Sequence, residues 1–485
     1  MPQVPSPERN APTTASAESA NLSARSGRLP LNTKTPSGPA GRRRVVLVVS
    51  HLGPGGTERV VATMAGYWAD CGHDVTVVTI YDDVPDFHRL DPKVKRIKLA
   101  PRHGLVVRAR RFIARRVIEG GSPATRGEHA TGSDRQAPQA RPLDGLRATY
   151  MALERRGAEL LGVVARHRLL GRSSRAYASL LRACHWPVRA LRNVLARTGP
   201  DVVVSLLGGT NIVTVAAAAG LRHRVVISER NDPSRERLDP PWDDLRPIFY
   251  PLADAVSANS HGALQSMRAY CPEARLRYVP NPVRLTAHVE DATRSDAVLF
   301  LGRLAPQKAP DVLIEAFARF RQAAPAWTLH LAGGGPLTDE LRARVHDLGL
   351  RDHVRFHGVV DPAALLATCR IFVLPSRFEG TPNALLEAMA HRMPCIVSDA
   401  SPGPLRLIQD GTTGLVVETG SAEQLAAAMT TLSRDNRLRR TLGNAAHERV
   451  REFSLDRVGP VWDQVVFPSD PREPAGARTN SPATS

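Results

Sequence analysis

The 485-residue sequence predicts an α/β fold of two doubly wound units facing each other across a cleft. Three observations lead there. Short runs rich in Val, Ile and Leu alternate with helix-length amphipathic stretches, the pattern of buried parallel strands joined by helices. Each half opens on such a run followed by a polar or Gly-rich turn: Gly53-Pro54-Gly55-Gly56 in the first, Gly302-Arg303-Leu304 in the second. Between the halves lies a Pro-stiffened segment, Val279-Pro280-Asn281-Pro282, and then a mostly polar linker, 284–295.

Residues 1–41 and 468–485 are rich in Pro, Ser, Thr and Ala and read as disordered tails. The first half, 42–283, begins with a strand over 45–50. A Gly-rich turn follows, then a helix carrying Val60, Val61, Met64, Tyr67 and Trp68 at helical spacing, and strands over 74–80 and 94–99. The glycines are not spaced Gly-x-Gly-x-x-Gly, and Asp82 and Asp83 lie beyond the second strand rather than at its end, which argues against a dinucleotide-binding dehydrogenase. The Gly55-Gly56 backbone can still approach an anion at the helix start. Strands resume at 201–207, 224–228 and 255–260. Glu229-Arg230-Asn231-Asp232-Pro233 sits at the end of the middle one and reads as part of a site.

The second half, 296–454, repeats the layout. Strand 297–301 is followed by a loop to Lys308 and a helix carrying Val312, Leu313, Ala316 and Phe317. Strands follow at 327–332, 354–356, 371–375, 394–398 and 414–417, with helices between and after them. Residues 455–467, with Trp462, form a last helix expected to pack back on the first half.

The net charge is +18, and +14 of it falls in 101–200, where twenty Arg, no Lys and six acidic residues occur. The two halves flanking this insertion, 101–197, are nearly neutral, which argues against general nucleic-acid binding. The Gly-, Ser- and Gln-rich stretch 120–142 reads as a loop. On either side of it, Arg alternates with Leu, Val and Ala at helical spacing, so the insertion is a candidate for an anionic membrane surface, at about 1 kcal/mol per basic residue, or else an ordinary solvated face. The five Cys are scattered without metal-ligand spacing, and Cys369 and Cys395 lie in apolar contexts as buried thiols. Residues 1–40 hold no apolar signal region, and no run of 18 apolar residues exists. The chain is therefore expected in the reducing cytoplasm, at most peripheral on the inner face of the plasma membrane.

The chemistry concentrates in 376–390, Ser-Arg-Phe-Glu-Gly-Thr-Pro-Asn-Ala-Leu-Leu-Glu-Ala-Met-Ala. Thr381-Pro382 is expected to open a helix, with Thr381 as N-cap and Pro382 in its first turn. Glu379 and Glu387 then bracket a helix N-terminus, whose free N–H groups suit a phosphate. A nucleotide-sugar has the matching order of sugar, diphosphate and ribose. Arg303 and Lys308, at the carboxyl end of the second half's first strand, can neutralise the diphosphate as a leaving group.

These motifs together resemble the retaining glycosyltransferases of family 4, whose GT-B fold sets two Rossmann-like domains across a cleft. The resemblance rests on Gly53-Pro54-Gly55-Gly56-Thr57-Glu58-Arg59, Val279-Pro280-Asn281-Pro282, Gly302-Arg303-Leu304 with Lys308, Leu331-Ala332-Gly333-Gly334-Gly335-Pro336, Phe356-His357-Gly358, and Phe378-Glu379-Gly380-Thr381-Pro382-Asn383 through Glu387-Ala388-Met389-Ala390. It covers roughly 44–467 apart from about 101–197. It implies transfer of a hexose or N-acetylhexosamine from a nucleotide-sugar, a UDP-sugar by likeness to bacterial surface-glycan members, to a lipid-linked or polysaccharide acceptor. It implies no metal or other cofactor.

Residue by residue, Glu379, Arg303 and Lys308 would act at the reacting sugar and diphosphate. Gly302, Gly380, Thr381 and Asn383 would line the donor site, with Glu387 on the ribose and Gly358-Val359 near the base. Gly55, Gly56 and Arg230 would face the phosphate or acceptor from the other half. The leaving phosphate would deprotonate the acceptor, so no separate base is required. Two departures stand out: Arg230 occupies a place where many members carry His, and Ala309 follows Lys308 where Gly is common. A sugar-nucleotide epimerase on the same fold, or a scaffold that binds membrane or partner without catalysis, are the alternative readings.

Overall fold

The computed structural model describes residues 41–81, 84–99, 174–235, 237–239, 241–286 and 294–468. The tails, most of the linker and residues 100–173 of the Arg-rich insertion lie outside these. The described residues belong to one compact unit, Ala40–Ser485.

Two all-parallel sheets form the frame. The first contains β1 (Arg44–Val49), β2 (Asp74–Thr79), β3 (Lys95–Lys98), β4 (Val202–Leu206), β5 (Arg224–Glu229), β6 (Ala255–Ala258) and β7 (Leu276–Tyr278), in the order β3-β2-β1-β4-β5-β6-β7. The second contains β8 (Ser295–Leu301), β9 (Thr328–Ala332), β10 (Val354–Gly358), β11 (Cys369–Leu374), β12 (Cys395–Ser398) and β13 (Leu415–Val417), in the order β10-β9-β8-β11-β12-β13. The strands are short and dense in β-branched residues because helices cover both faces. In each sheet the first strand is central. Leu47 pairs with Val77 on one side and Val204 on the other, and Leu299 with His330 and Phe372. Strand order reverses there, and the crevice beyond the carboxyl ends at such a reversal is where open α/β sheets take ligands.

The described part of the Arg-rich insertion has a structural role. Helices α2 (Ser174–Cys184) and α3 (Trp186–Thr198) turn Tyr177, Leu181, Val188, Leu191, Val194 and Leu195 into the core of the first half. Arg192 donates to the carbonyls of Ala217 and Ala219 at 2.9 and 2.7 Å, satisfying the carboxyl end of helix α4 (Gly208–Ala218). The apolar stripe read as a membrane face over 174–195 is therefore spent on core packing; the rest of that expectation lies outside the described residues. No helix among the described residues is long and apolar enough to cross a membrane.

The halves are joined at two adjacent crossings. Val283 donates to Phe453 O at 2.8 Å and accepts from Leu455 N at 2.9 Å. The chain then returns to the first half as helix α14 (Leu455–Val466). Trp462 meets Trp68 edge to face at 6.1 Å. Asp463 accepts from Trp68 Nε1 at 2.8 Å and from the Tyr67 hydroxyl at 2.9 Å. Gly459 lets this helix lie against the Tyr67 ring, which a Cβ there would strike.

Trp462→Ala is expected to cost about 3–5 kcal/mol, as for other fully buried aromatics, and Trp462→Phe much less. Urea unfolding of the two variants checks this; a loss below about 1 kcal/mol for the alanine variant would place the helix outside the core.

Candidate functional site

The cleft is built from loops at the carboxyl ends of both sheets. On the side of the second half, the turn after β8 runs from Gly302 to Lys308. Gly302 N donates to Ala332 O at 3.0 Å and Leu304 N to Gly334 O at 3.0 Å, which fixes the turn against β9. Gly333 must be glycine, because its Cβ would overlap the Gly302 carbonyl and its φ is 145°. Ala309, at φ 49°, carries the chain from Lys308 into helix α7 (Pro310–Ala323) through the left-handed region. Gly is favoured in such a position because it escapes the Cβ clash of about 1–2 kcal/mol.

Lys308 and Glu379 form an ion pair. Ser376 Oγ donates to Glu379 Oε1 at 2.6 Å, and Glu379 N donates to Ser401 Oγ at 2.8 Å. Gln307 Nε2 donates to Phe378 O at 3.1 Å, tying this turn to the one after β11. Arg303, on the same turn as Lys308, is exposed and makes no ion pair among the described residues. Gly358 turns at φ 64°, and Val359 and Val360 after it are exposed apolar residues at the β10 end.

The double-glutamate segment departs from the expected start. Helix α10 runs Asn383–Ala390, with Pro382 in the capping position and no side-chain cap. Thr381 does not cap. Its hydroxyl donates to Asn259 O in the first half at 2.6 Å, and its carbonyl accepts from Asn281 Nδ2 at 3.0 Å. The hydroxyl is spent across the cleft, and the first-turn N–H groups of the helix are left without a side-chain partner. Asn383 Nδ2 donates to Gly56 O at 2.9 Å, an approach that only glycine at 56 permits.

Glu387, one helical turn on, is 8% exposed. Its Oε1 lies 2.6 Å from Arg59 Nη1 of the first half, and its Oε2 has no hydrogen-bond partner. Burial chiefly, with the neighbouring Asp361 adding to it and Arg59 opposing, pushes this carboxyl up to about 7. Arg59, Asn383, Glu387 and Asp361 line a cleft of about 910 Å³ together with Phe87 and His88.

The structure thus brings Glu379 and Lys308 into direct contact, and sets Asn383, bonded to Gly56, and Glu387 along the cleft. Arg230 lies apart. It is 5% exposed, donates from Nη1 to Asn281 at 2.7 Å, and its guanidinium stacks 5.0 Å over the Trp462 ring. Burial lowers its pKa to about 9. Its side chain is a hinge element and does not face an open phosphate or acceptor position, while its backbone packs against Gly380.

A second cavity of about 330 Å³ lies wholly within the first half, at the β1/β4 reversal, lined in part by Tyr81, Gly208, Leu238 and Trp242. At its base Glu229 accepts from the Tyr250 hydroxyl at 2.6 Å and lies 3.9 Å from Arg246. Burial raises the Glu229 carboxyl. The stretch 229–233 is marked in the sequence, whereas Arg246, on helix Trp242–Phe249, and Tyr250, on the 3-10 turn after it, lie in no motif. The sequence also assigns Arg59 no role, although Arg59 closes the Gly-rich motif. Among the described residues, no group of three or more His, Cys, Asp or Glu is placed to hold a metal ion.

Two family models match the chain: Glycosyltransferase Family 4 over 143–287 and Glycosyl transferases group 1 over 288–449. The sequence is 30% identical over 285 residues to the GalNAc-alpha-(1->4)-GalNAc-alpha-(1->3)-diNAcBac-PP-undecaprenol alpha-1,4-N-acetyl-D-galactosaminyltransferase of Campylobacter jejuni, spanning 57% of this chain and 77% of that one. It is 28% identical to a second enzyme of that organism, the N-acetylgalactosamine-N,N'-diacetylbacillosaminyl-diphospho-undecaprenol 4-alpha-N-acetylgalactosaminyltransferase, over 56% and 76% of the two chains. Among solved structures, Anabaena HepE in complex with UDP and glucose has a TM-score of 0.61 at 18% identity, covering 87% of this chain and 99% of that one. At that identity the likeness is one of fold.

The buried Glu387 carboxyl holds its proton more tightly folded than unfolded, so its contribution to stability falls as pH rises from 4.5 through about 7. At about 1.4 kcal/mol per tenfold change in proton affinity, its ionised form costs the fold about 3 kcal/mol. Glu387→Gln is therefore expected to be more stable than the parent at pH 8 and nearly equal to it at pH 5. Thermal unfolding of both proteins at the two pH values decides; the same difference at both would show that ionised Glu387 is buried without cost.

Proposed function

Because this chain belongs to the family 4 glycosyltransferases, we propose that it moves a hexose or N-acetylhexosamine from a nucleotide-sugar, by our reading a UDP-sugar, to a lipid-linked glycan. The observation that carries this reading is the pairing of Lys308 with Glu379, together with exposed Arg303 on the same turn as Lys308 and the start of helix Asn383–Ala390, which no side chain caps. The diphosphate would lie between the two cations and the helix N-terminus. Charge develops on it as the sugar–phosphate bond breaks, and fixed cations and N–H dipoles stabilise that charge without reorganising. Glu379 would then hold the sugar hydroxyls near the anomeric carbon, and Glu387 the ribose. The acceptor hydroxyl would attack from the same face as the departing diphosphate and give its proton to it, so the new bond keeps the anomeric configuration.

The acceptor's terminal sugar would enter from the first half. The 330 Å³ cavity suits a sugar ring, since Trp242, Tyr81 and Leu238 offer apolar surface and Glu229 and Arg246 a polar floor. The lipid-linked class is supported by the undecaprenol-linked substrates in the relatives' names.

Two variants separate the halves of the site. Lys308→Ala is expected to lower the transfer rate at least about 100-fold, the scale of losing one preorganised transition-state donor. Trp242→Ala should raise KM for the glycan acceptor and leave nucleotide binding unchanged. The assay pairs a panel of UDP- and GDP-sugars with an undecaprenyl-diphosphate-linked glycan, and runs each donor alone as well. Transfer unaltered in both variants would overturn the assignment, and product formed from donor without acceptor would indicate an epimerase.

A further inference from the structure

Glu387 is held by a cation from the opposite half of the molecule. Arg59 lies in the first turn of helix α1 (Gly56–Asp70), and no side chain caps that helix. Its Nη1 is 2.6 Å from Glu387 Oε1, and this is the only ion pair to Glu387 among the described residues. The Arg59 side chain is 34% exposed, lines the cleft beside His88 and Asp361, and makes no second ion pair among the described residues; its guanidinium carries five donors. Glu387 Oε2 is buried and is an acceptor without a donor among the described residues.

Two contacts link the starts of the two helices. Gly56 O accepts from Asn383 Nδ2 at 2.9 Å, and one turn further along each helix Arg59 meets Glu387. One helical turn is about 5.4 Å, within the swing of an arginine side chain. A shift of the guanidinium by that distance carries it from Glu387 to the open start of helix Asn383–Ala390.

We propose that Arg59 is a positioning residue that occupies the ribose-binding carboxylate while no donor is bound, and moves onto the donor's diphosphate when ribose hydroxyls take Glu387. This rests on the donor-site reading given above. In the exchange Arg59 trades one anion for another, and Glu387 trades a cation for hydroxyl donors. Ribose supplies two hydroxyl donors to both oxygens of Glu387, including the unpartnered one, and the released guanidinium finds a diphosphate that matches its planar fork. A nucleoside without phosphates must displace Arg59 and offers it nothing in return. A nucleoside diphosphate displaces it and rehouses it. Arg59 therefore selects for the diphosphate at the step of binding.

Calorimetric titration of the full chain with uridine, UDP, guanosine and GDP tests this on the parent protein, Arg59→Ala and Arg59→Lys. For whichever base the parent binds, Arg59→Ala should bind the nucleoside at least threefold more tightly and the diphosphate at least tenfold more weakly. Arg59→Lys, which keeps the charge but not the planar fork, should lie between the parent and Arg59→Ala on the diphosphate. Affinities that both stay unchanged in the alanine variant, or that move in the same direction, overturn the proposal, because a merely structural role shifts both ligands together. A parent protein that binds neither diphosphate overturns the donor-site reading itself, and the exchange with it.

Discussion

A carboxylate withdrawn from water must be given a cation or give up its charge. The cleft holds two such carboxylates, Glu379 and Glu387, and the rest of the site follows from how each is satisfied. Glu379 is served from its own half by Lys308 and Ser376. This contact pins the turn after β8 to the turn after β11. Glu387 is served from the opposite half by Arg59. One carboxylate thus stabilises the shape of a domain, and the other couples two domains.

The coupling is reinforced by neutral contacts. Thr381 and Asn383 both reach across, to Asn259 and Gly56, and Asn281 in the hinge reaches back to Thr381. Asn281 also accepts from Arg230, whose guanidinium rests on Trp462. A continuous chain of polar contacts therefore runs from the double-glutamate segment through the hinge to the returning carboxyl-terminal helix. Cations buried this deeply are held by their neighbours, and Arg230 has two guanidinium nitrogens without partners. Opening of the cleft would break the bonds at Thr381 and Asn383 together with the Arg59–Glu387 pair, since all of these bridge the halves.

Much of this frame was legible in the sequence because buried parallel strands announce themselves. The runs at Val45–Val49 and Val298–Leu301 are apolar on every residue, and the fold needs them so. Strand order could not be read, since nothing local in β4 says that it lies beside β1. The arginine-rich helices were ambiguous for a related reason. A stripe of Leu, Val and Tyr spaced at helical intervals is the same whether it meets lipid or protein, and only the position of helix Gly208–Ala218 shows that it meets protein. At the site, Glu379, Lys308, Gly56 and Glu387 were readable from their motifs. Arg59 was passed over because its partner lies far along the chain, and Thr381 was read as a cap because a Thr-Pro pair ahead of a helix usually supplies one. Ala309 departs from the expected Gly yet adopts the left-handed conformation that Gly would favour.

The return of the helix Leu455–Val466 to the first sheet has a consequence for how the protein is made. Val458, Trp462, Val465 and Val466 complete the core face formed by Leu47, Val61, Trp68 and Val77. A ribosome synthesises that helix only after the whole of the second half has emerged. Until then the first half carries an uncovered apolar face around Trp68, which must wait, shielded or transiently covered, through the synthesis of an entire second domain. The second half has no such debt to later residues beyond its own helices. The domain that is translated first is therefore the one that finishes folding last.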